Sequence, residues 1–302
     1  MQAALIDCHT HTFFSDGESS FEENLQAAAN QGCKVLVSSD HLTLPASMDP
    51  NQECQVPYSK LEEHRCSFKQ AKEQAKSFAP NVEFIFGFEC DWYPGCEKNI
   101  DDWARKAQVK LGSVHWIGDA GTRNEIEIAA GEPGSKNVAP ADAPLTGNGW
   151  IDYSQDLHVW DELGPNEVWR KYVSAWCAAC ESPANFDIMS HPDLPMRFSK
   201  TYAPPSNLSQ LWSQMAECAR YTNRRIEISS ASFRAGLCDF YPAKGLLENF
   251  FQAGVKITFG SDAHNARFIC DGIRKAQKHA WEIGYRRFDV PRADGSWESW
   301  EL

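Results

Sequence analysis

The chain has 302 residues, with 29 basic against 41 acidic side chains and a formal charge of −12. Hydrophobic residues at 42% and charged residues at 23% are ordinary for a globular protein and exclude wholesale disorder. The acidic balance argues against a nucleic-acid partner, because tracking a phosphate backbone needs a dense Lys/Arg footprint.

A small anionic substrate is still allowed, since a metal ion or a few local arginines can reverse the field inside one pocket. The N-terminus shows neither a basic region nor an apolar stretch of signal-peptide length. There is no apolar run long enough to span a bilayer, so no membrane association is expected. Eleven scattered cysteines, odd in number, fit free thiols in a reducing cytoplasm. The one C-x-x-C, Cys177 and Cys180, falls inside a helical pattern and reads as helix packing.

In chain order, strands are expected at Ala3–Cys8, Lys34–Ser38, Val82–Phe88, Val109–Val114, Phe186–Ser190, Arg225–Ser229 and Lys256–Gly260. All are short and rich in Val, Ile, Leu and Phe, as strands buried on both faces should be. Helical periodicity covers Ser20–Gln31, Ser59–Phe78, Asn99–Ala107, Asn166–Glu181, Leu208–Tyr221, Lys244–Gln252 and Arg267–Ile283. Ser19 or Ser20, with Glu22 and Glu23 behind it, is a helix start, and Gly32 and Gly254 are helix ends. Seven strand-plus-helix units predict a (β/α)7 barrel, although a doubly wound open sheet shares the same alternation. One domain over residues 1–302 is expected, with a long loop insertion at about 117–164. That stretch holds Gly118, Gly121, Gly131, Gly134, Gly147 and Gly149 and reads as a lid or pocket wall.

Six of the nine histidines lie at or just past the C-terminal end of an expected strand. Strand one is followed by Asp7-Cys8-His9-Thr10-His11 and then Asp16; strand two by Asp40-His41; strand three by Glu89. Strands four, five and seven lead to His115, His191 and Asp262-Ala263-His264. A barrel presents all these ends to one mouth. Imidazoles and carboxylates converging there, without thiolates, suit divalent cations. His9 and His11, two apart on an extended chain, point to the same side. Nine candidate ligands exceed what one ion takes, so two or three ions are implied. Adjacent cations of that kind activate water and clamp phosphoryl oxygens, which makes this a multinuclear metal hydrolase.

The segments His9-Thr-His11-Thr, Ser15-Asp16-Gly17, Ser39-Asp40-His41, Gly87-Phe88-Glu89, Gly112-Ser113-Val114-His115, Ser190-His191-Pro192-Asp193 and Gly260-Ser261-Asp262-Ala263-His264 resemble the metal motifs of the PHP superfamily, the polymerase and histidinol phosphatase group. The match follows the family's order from residue 7 to 264. It implies a distorted (β/α)7 TIM-like barrel with a metal site at the C-terminal mouth of the strands, holding three divalent ions (Zn, Fe or Mn). By that resemblance His9, His11, Glu89 and Asp262 hold the first ion. Glu89 bridges to a second completed by His115 and His191, and Asp16, His41 and His264 form the third set.

Two further stretches resemble histidinol-phosphate phosphatases: Asp187 to Phe198, with Arg197 six residues after His191, and Glu227 to Arg234, followed by Tyr241-Pro242. Arg197 and Arg234 are therefore expected to grip phosphate through bidentate guanidinium forks. Asp193 or His264 is expected to protonate the leaving alkoxide. The implied activity is a metal-dependent phosphomonoesterase on a small phosphate ester, first of all L-histidinol phosphate, a step of histidine biosynthesis. The insertion and its bordering Trp116, Trp150 and Trp160 allow instead a nucleotide or sugar phosphate, or a cyclic phosphodiester. An amidohydrolase-like barrel also carries H-x-H on its first strand. Its bridging lysine, however, is replaced here by His115. A non-catalytic PHP module fits poorly, because all nine positions are filled.

Overall fold

The strands are β1 (Ile6–Asp7), β2 (Val35–Ser38), β3 (His41–Leu42), β4 (Glu83–Asp91), β5 (Val109–Ser113), β6 (Trp116–Ile117), β7 (Gly149–Trp150), β8 (Ile188–Met189), β9 (Arg225–Ser229), β10 (Ile257–Gly260), β11 (Arg287–Pro291) and β12 (Trp297–Glu301). These come from a computed structural model that describes residues 3–45, 49, 51–118 and 149–302. Seven of them form a parallel sheet in the order β1-β2-β4-β5-β8-β9-β10. The last strand returns to the first: the Cys8 and His11 N–H groups donate to the Phe259 and Ala263 carbonyls, each at 2.9 Å. The sheet is thus a nearly closed TIM-like barrel, not the open doubly wound alternative. β3 continues β2 along β4 in unchanged register, with Ser38 opposite Phe86 and His41 opposite Glu89.

The helices α1 (Phe21–Gln31), α2 (Leu61–Phe78), α3 (Glu97–Trp103), α4 (His158–Glu181), α5 (Leu208–Thr222), α6 (Ala231–Arg234), α7 (Lys244–Gln252) and α8 (Ile273–Ile283) accompany the strands. α1 starts in a capping box: Ser20 Oγ accepts from the Glu23 N–H and Glu23 Oε2 from the Ser20 N–H. Gly32 closes it in the left-handed conformation.

Some boundaries differ from the sequence expectation. α4 begins at His158 rather than Asn166, because helical turns form on both sides of a break at Gly164 (φ 72°, ψ 162°) and Pro165. The expected helix Arg267–Ile283 is split. Cys270 and Gly272 have positive φ, and α8 starts only at Ile273. β4 runs three residues past its expected end, to Asp91. Of the expected 117–164 insertion, the described part contributes the antiparallel pair β6–β7 and the first turns of α4. Gly121, Gly131, Gly134 and Gly147 lie outside the described residues. Cys177 and Cys180 pack toward α5, where Cys218 Sγ donates to the Cys177 carbonyl at 3.4 Å.

Beyond α8 the hairpin β11–β12 ties onto the strand beginnings, through Arg225 to Asp289 at 2.8 Å and Arg292 to Glu83 at 2.9 Å. The barrel is therefore fastened at its N-terminal end and the opposite mouth is free for chemistry. Gly112 on β5 is held by space, since a Cβ there would lie 2.5 Å from the Phe186 ring. Gly112→Ala is expected to destabilise the fold by about 2 kcal/mol through overpacking. Urea unfolding should show a lower midpoint, partly recovered when Phe186→Leu is added.

Candidate metal centre

The mouth gathers all nine sequence-predicted ligand positions. His9, His11, Glu89 and Asp262 form one group; Glu89, His115 and His191 a second; and His11, Asp16, His41 and His264 a third. Within each group the donor atoms lie within 4.8 Å of one another. His9 Nε2 is 2.9 Å from Glu89 Oε2, and His191 Nε2 is 2.8 Å from Glu89 Oε1. His11 Nε2 is 3.2 Å from Asp262 Oδ1, and His264 Nε2 is 3.2 Å from Asp16 Oδ2. His9 Nε2, both ring nitrogens of His11 and His191 Nδ1 are buried and make no well-aligned hydrogen bond among the described residues. Buried ring nitrogens without a well-aligned partner are costly, and a cation at one nitrogen of each ring satisfies it directly. Nitrogen and carboxylate donors without thiolates fit divalent ions.

Carboxylates that the sequence reading did not single out orient these rings. Asp91 takes the Nδ1 of both His41 (3.0 Å) and His115, which leaves both Nε2 atoms directed to the cluster. Glu227 Oε1 takes His9 Nδ1 at 2.9 Å, while its Oε2 accepts the His191 N–H at 2.9 Å. That second bond holds His191 at φ 23°, where a non-glycine backbone is strained. Asp262, at φ 54°, is the other left-handed residue among the nine. Gly260 makes room for Glu227: a Cβ there would lie 1.9 Å from Glu227 Oε1 and 2.6 Å from the His9 Cβ.

Asp40 is wholly buried behind the loop that carries Asp16. It accepts from the Thr12 N–H (2.6 Å), Ser15 Oγ (2.8 Å) and His64 Nε2 (2.8 Å). His64, which sequence position sets apart from the mouth, is caged by Phe14, Phe21, Phe86 and Phe88 at centroid distances of 5.0 to 5.4 Å. Asp7 spans the closing seam, accepting from the Ser261 and Cys270 N–H groups, each at 2.8 Å. Two of these supports left a trace in the sequence. Asp91 lies two residues past Glu89 on one strand, hence on the same side, and Glu227 is a lone carboxylate in an apolar strand. Nothing local marks His64.

The electrostatics follow from burial opposed by pairing. Burial alone would keep His9, His41 and His115 neutral, but the surrounding carboxylates outweigh it. His9 and His41 are raised well above the usual imidazole range and His115 to about 9. Asp262 is held well below the carboxylate range by His9, His11 and His264 in spite of its burial. The mouth is a concentrated anionic field, and what attracts protons there also attracts cations.

The cluster faces a cleft of about 510 Å³. Arg197 and Arg234 both line it. Arg234 Nη2 donates to the Ser261 and Asp262 carbonyls, and its Nη1 is buried without a partner among the described residues. His264 opens on the same cleft with its side chain 38% exposed. Asp193 is placed differently. It is wholly buried, receives the Ala243 N–H at 2.8 Å and is not among the cleft-lining residues. Burial pushes its pKa up to about 7.

A model of the PHP domain matches residues 7–284 of this chain. The chain belongs to the PHP domain family. As a PHP protein it is a metal-dependent phosphoric ester hydrolase. It is 23% identical over 290 residues to a probable histidinol-phosphatase of Deinococcus radiodurans, covering 93% of this chain and 95% of that one. Among solved structures, the histidinol phosphate phosphatase of Lactococcus lactis, complexed with zinc, L-histidinol and phosphate, superposes with a TM-score of 0.70. Its identity is 16%, over 97% of this chain and 98% of that one. A histidinol phosphatase candidate from Listeria monocytogenes gives a TM-score of 0.71 at 17% identity, over 89% and 99% of the two chains. At these identities the structures establish the PHP barrel fold.

Removing the charge of Glu227 should loosen the PHP centre without emptying it. Glu227→Gln is expected to lower divalent-metal affinity roughly ten- to hundredfold, as loss of an orienting partner behind a ligating histidine does. Metal content after dialysis against a graded chelator series measures this.

Proposed function

We propose that this PHP protein is a phosphomonoesterase of small organic phosphates, with L-histidinol phosphate as substrate and L-histidinol and phosphate as products. The observation that carries the reading is the juxtaposition of three donor groups sharing Glu89 and His11 with the unpartnered Nη1 of Arg234 in one cleft. The Deinococcus relative, similar over nearly the full length of both chains, supports the substrate. So does the Lactococcus structure, which holds L-histidinol and phosphate in the same fold. A cleft of about 510 Å³ is of the size that small ligands occupy. With eleven free cysteines, the protein suits a reducing cytoplasm.

Three divalent ions (Zn, Fe or Mn) would be held by His9, His11, Glu89 and Asp262, by Glu89, His115 and His191, and by Asp16, His41 and His264. Such ions, when bound, acidify water and draw charge from phosphoryl oxygens. The chain's own groups do the rest. Arg197 and Arg234 bind the phosphoryl oxygens, and Arg234 is anchored to the backbone of Ser261 and Asp262 and thus registers the phosphate against the centre. Asp91 and Glu227 keep three histidines in one tautomer each. His264, which opens on the cleft, is assigned the proton for the leaving oxygen when it is not engaged as a ligand of the third ion. Asp193 serves from behind the wall by fixing Ala243 next to Tyr241-Pro242.

The test is phosphate release from a panel of L-histidinol phosphate, nucleoside monophosphates, sugar phosphates and a cyclic phosphate, with Mn- or Zn-loaded protein. L-histidinol phosphate is expected to lead in kcat/KM by roughly a hundredfold, about 2.7 kcal/mol of transition-state preference. Another winner would replace the substrate, and no hydrolysis with metal bound would overturn the assignment. Chelation should abolish turnover and re-addition of the ion restore it. Arg234→Ala should lower kcat/KM roughly ten- to hundredfold, the loss expected for charge-assisted bonds to phosphate.

A further inference from the structure

The cleft contains one carboxylate that the chemistry above does not use. Asp16, Glu89 and Asp262 each belong to a donor group, whereas Asp152, which also lines the cleft, belongs to none among the described residues. Among the described residues its buried Oδ1 has no hydrogen-bond partner. Asp152 is also held close to the centre. β6 and β7 pair Trp116 with Trp150, and the Ile151 N–H donates to the His115 carbonyl at 3.0 Å, so the carboxylate sits one residue from a backbone bonded to a proposed ligand. Trp150 and Tyr153 flank it in sequence, line the same cleft and place their rings 6.1 Å apart.

An unpaired anion is a liability in a cleft that receives a phosphate dianion. It repels the substrate, and its buried oxygen lacks the donor that water would supply. Both costs vanish when the ligand itself carries a cation at its other end. A protonated amine supplies the missing donor, cancels the repulsion and is at home beside tryptophan and tyrosine faces. An uncharged sugar hydroxyl supplies only a weak donor and leaves the charge uncompensated.

We propose that Asp152 is a specificity-determining residue that receives the ammonium group of the substrate's alcohol portion, so that the enzyme selects phosphate esters of amino alcohols. This rests on the phosphatase reading above and narrows its substrate class.

The experiment compares matched esters that differ only in the amine: L-histidinol phosphate against 3-(imidazol-4-yl)propyl phosphate, and O-phosphoethanolamine against ethyl phosphate. The wild-type metal-loaded enzyme is expected to favour the amine-bearing member of each pair roughly ten- to hundredfold in kcat/KM, mainly through KM. In Asp152→Asn that ratio should fall to near one, and Asp152→Glu should restore part of it. Thermal unfolding and metal content of each variant report folding and loading separately. A wild-type ratio near one overturns the inference, as does an Asp152→Asn enzyme that loses both members of a pair by the same factor. If L-histidinol phosphate is a good substrate and Asp152→Asn discriminates like wild type, the amine site falls and the histidinol phosphatase reading stands. If L-histidinol phosphate is poor but the phosphoethanolamine pair is separated through Asp152, the reverse holds.

Discussion

Glu89 is a carboxylate at the mouth of a barrel with almost no access to water, and much of the surrounding structure answers the need to compensate it. A buried charge is tolerated only when it is paired and hydrogen-bonded. Glu89 meets His9 through one oxygen and His191 and the Ser113 hydroxyl through the other. Those partners follow or end β1, β8 and β5, so one side chain fixes the relative positions of several strand ends. The space for this comes from residues that do no chemistry. Gly260 leaves room for Glu227, and Gly112 lets β5 pass Phe186.

Several buried carboxylates gather at the same place. Glu89, Asp91, Glu227 and Asp262 converge on six histidines, and their field outweighs the burial that would otherwise keep His9, His41 and His115 neutral. Histidines alone would leave a weak, neutral site, and carboxylates alone would not survive burial. Together they make a site whose charge is completed by cations. Behind them Asp91, Glu227 and the Asp40–His64 pair decide which nitrogen of a ring is presented and where the Asp16 loop lies.

The other cleft-lining groups come from different parts of the molecule. Strand ends supply most of the clustered histidines and carboxylates, whereas Arg197 comes from the turn after β8, Arg234 from α6 and Asp152 from the segment after β7. These segments can change without disturbing the sheet, which is how barrels of one chemistry serve different substrates. The arrangement is not fully modular, because Arg234 is bonded to the backbone of Asp262 and Ile151 to that of His115. The rim is therefore held in fixed register with the cluster.

Much of this was legible in the sequence for a specific reason. Strands in a barrel end on one face, so His9, His41, Glu89, His115, His191 and Asp262, each just past or at the end of an apolar run, had to meet. Ser20 with Glu23 acted on the backbone where local chemistry said it would, whereas helical turns form on both sides of the break at Gly164 and Pro165, before the expected start at Asn166. The supports were harder to read. Asp91 was hidden by a strand drawn too short, Glu227 had no marked partner, and His64 lies on a helix whose distance from Asp40 is set only when α2 packs over β4. Asp193 shows the opposite case: its position beside His191 suggests a cleft group, yet the turn after β8 places it behind the wall. The sequence by itself determined the barrel and which histidines and carboxylates gather at its mouth, because strand direction and residue type are local properties. The tertiary structure alone decided which nitrogen each histidine presents, which arginine atom stays free and which carboxylate is left unpaired, because those depend on contacts between residues far apart in the chain.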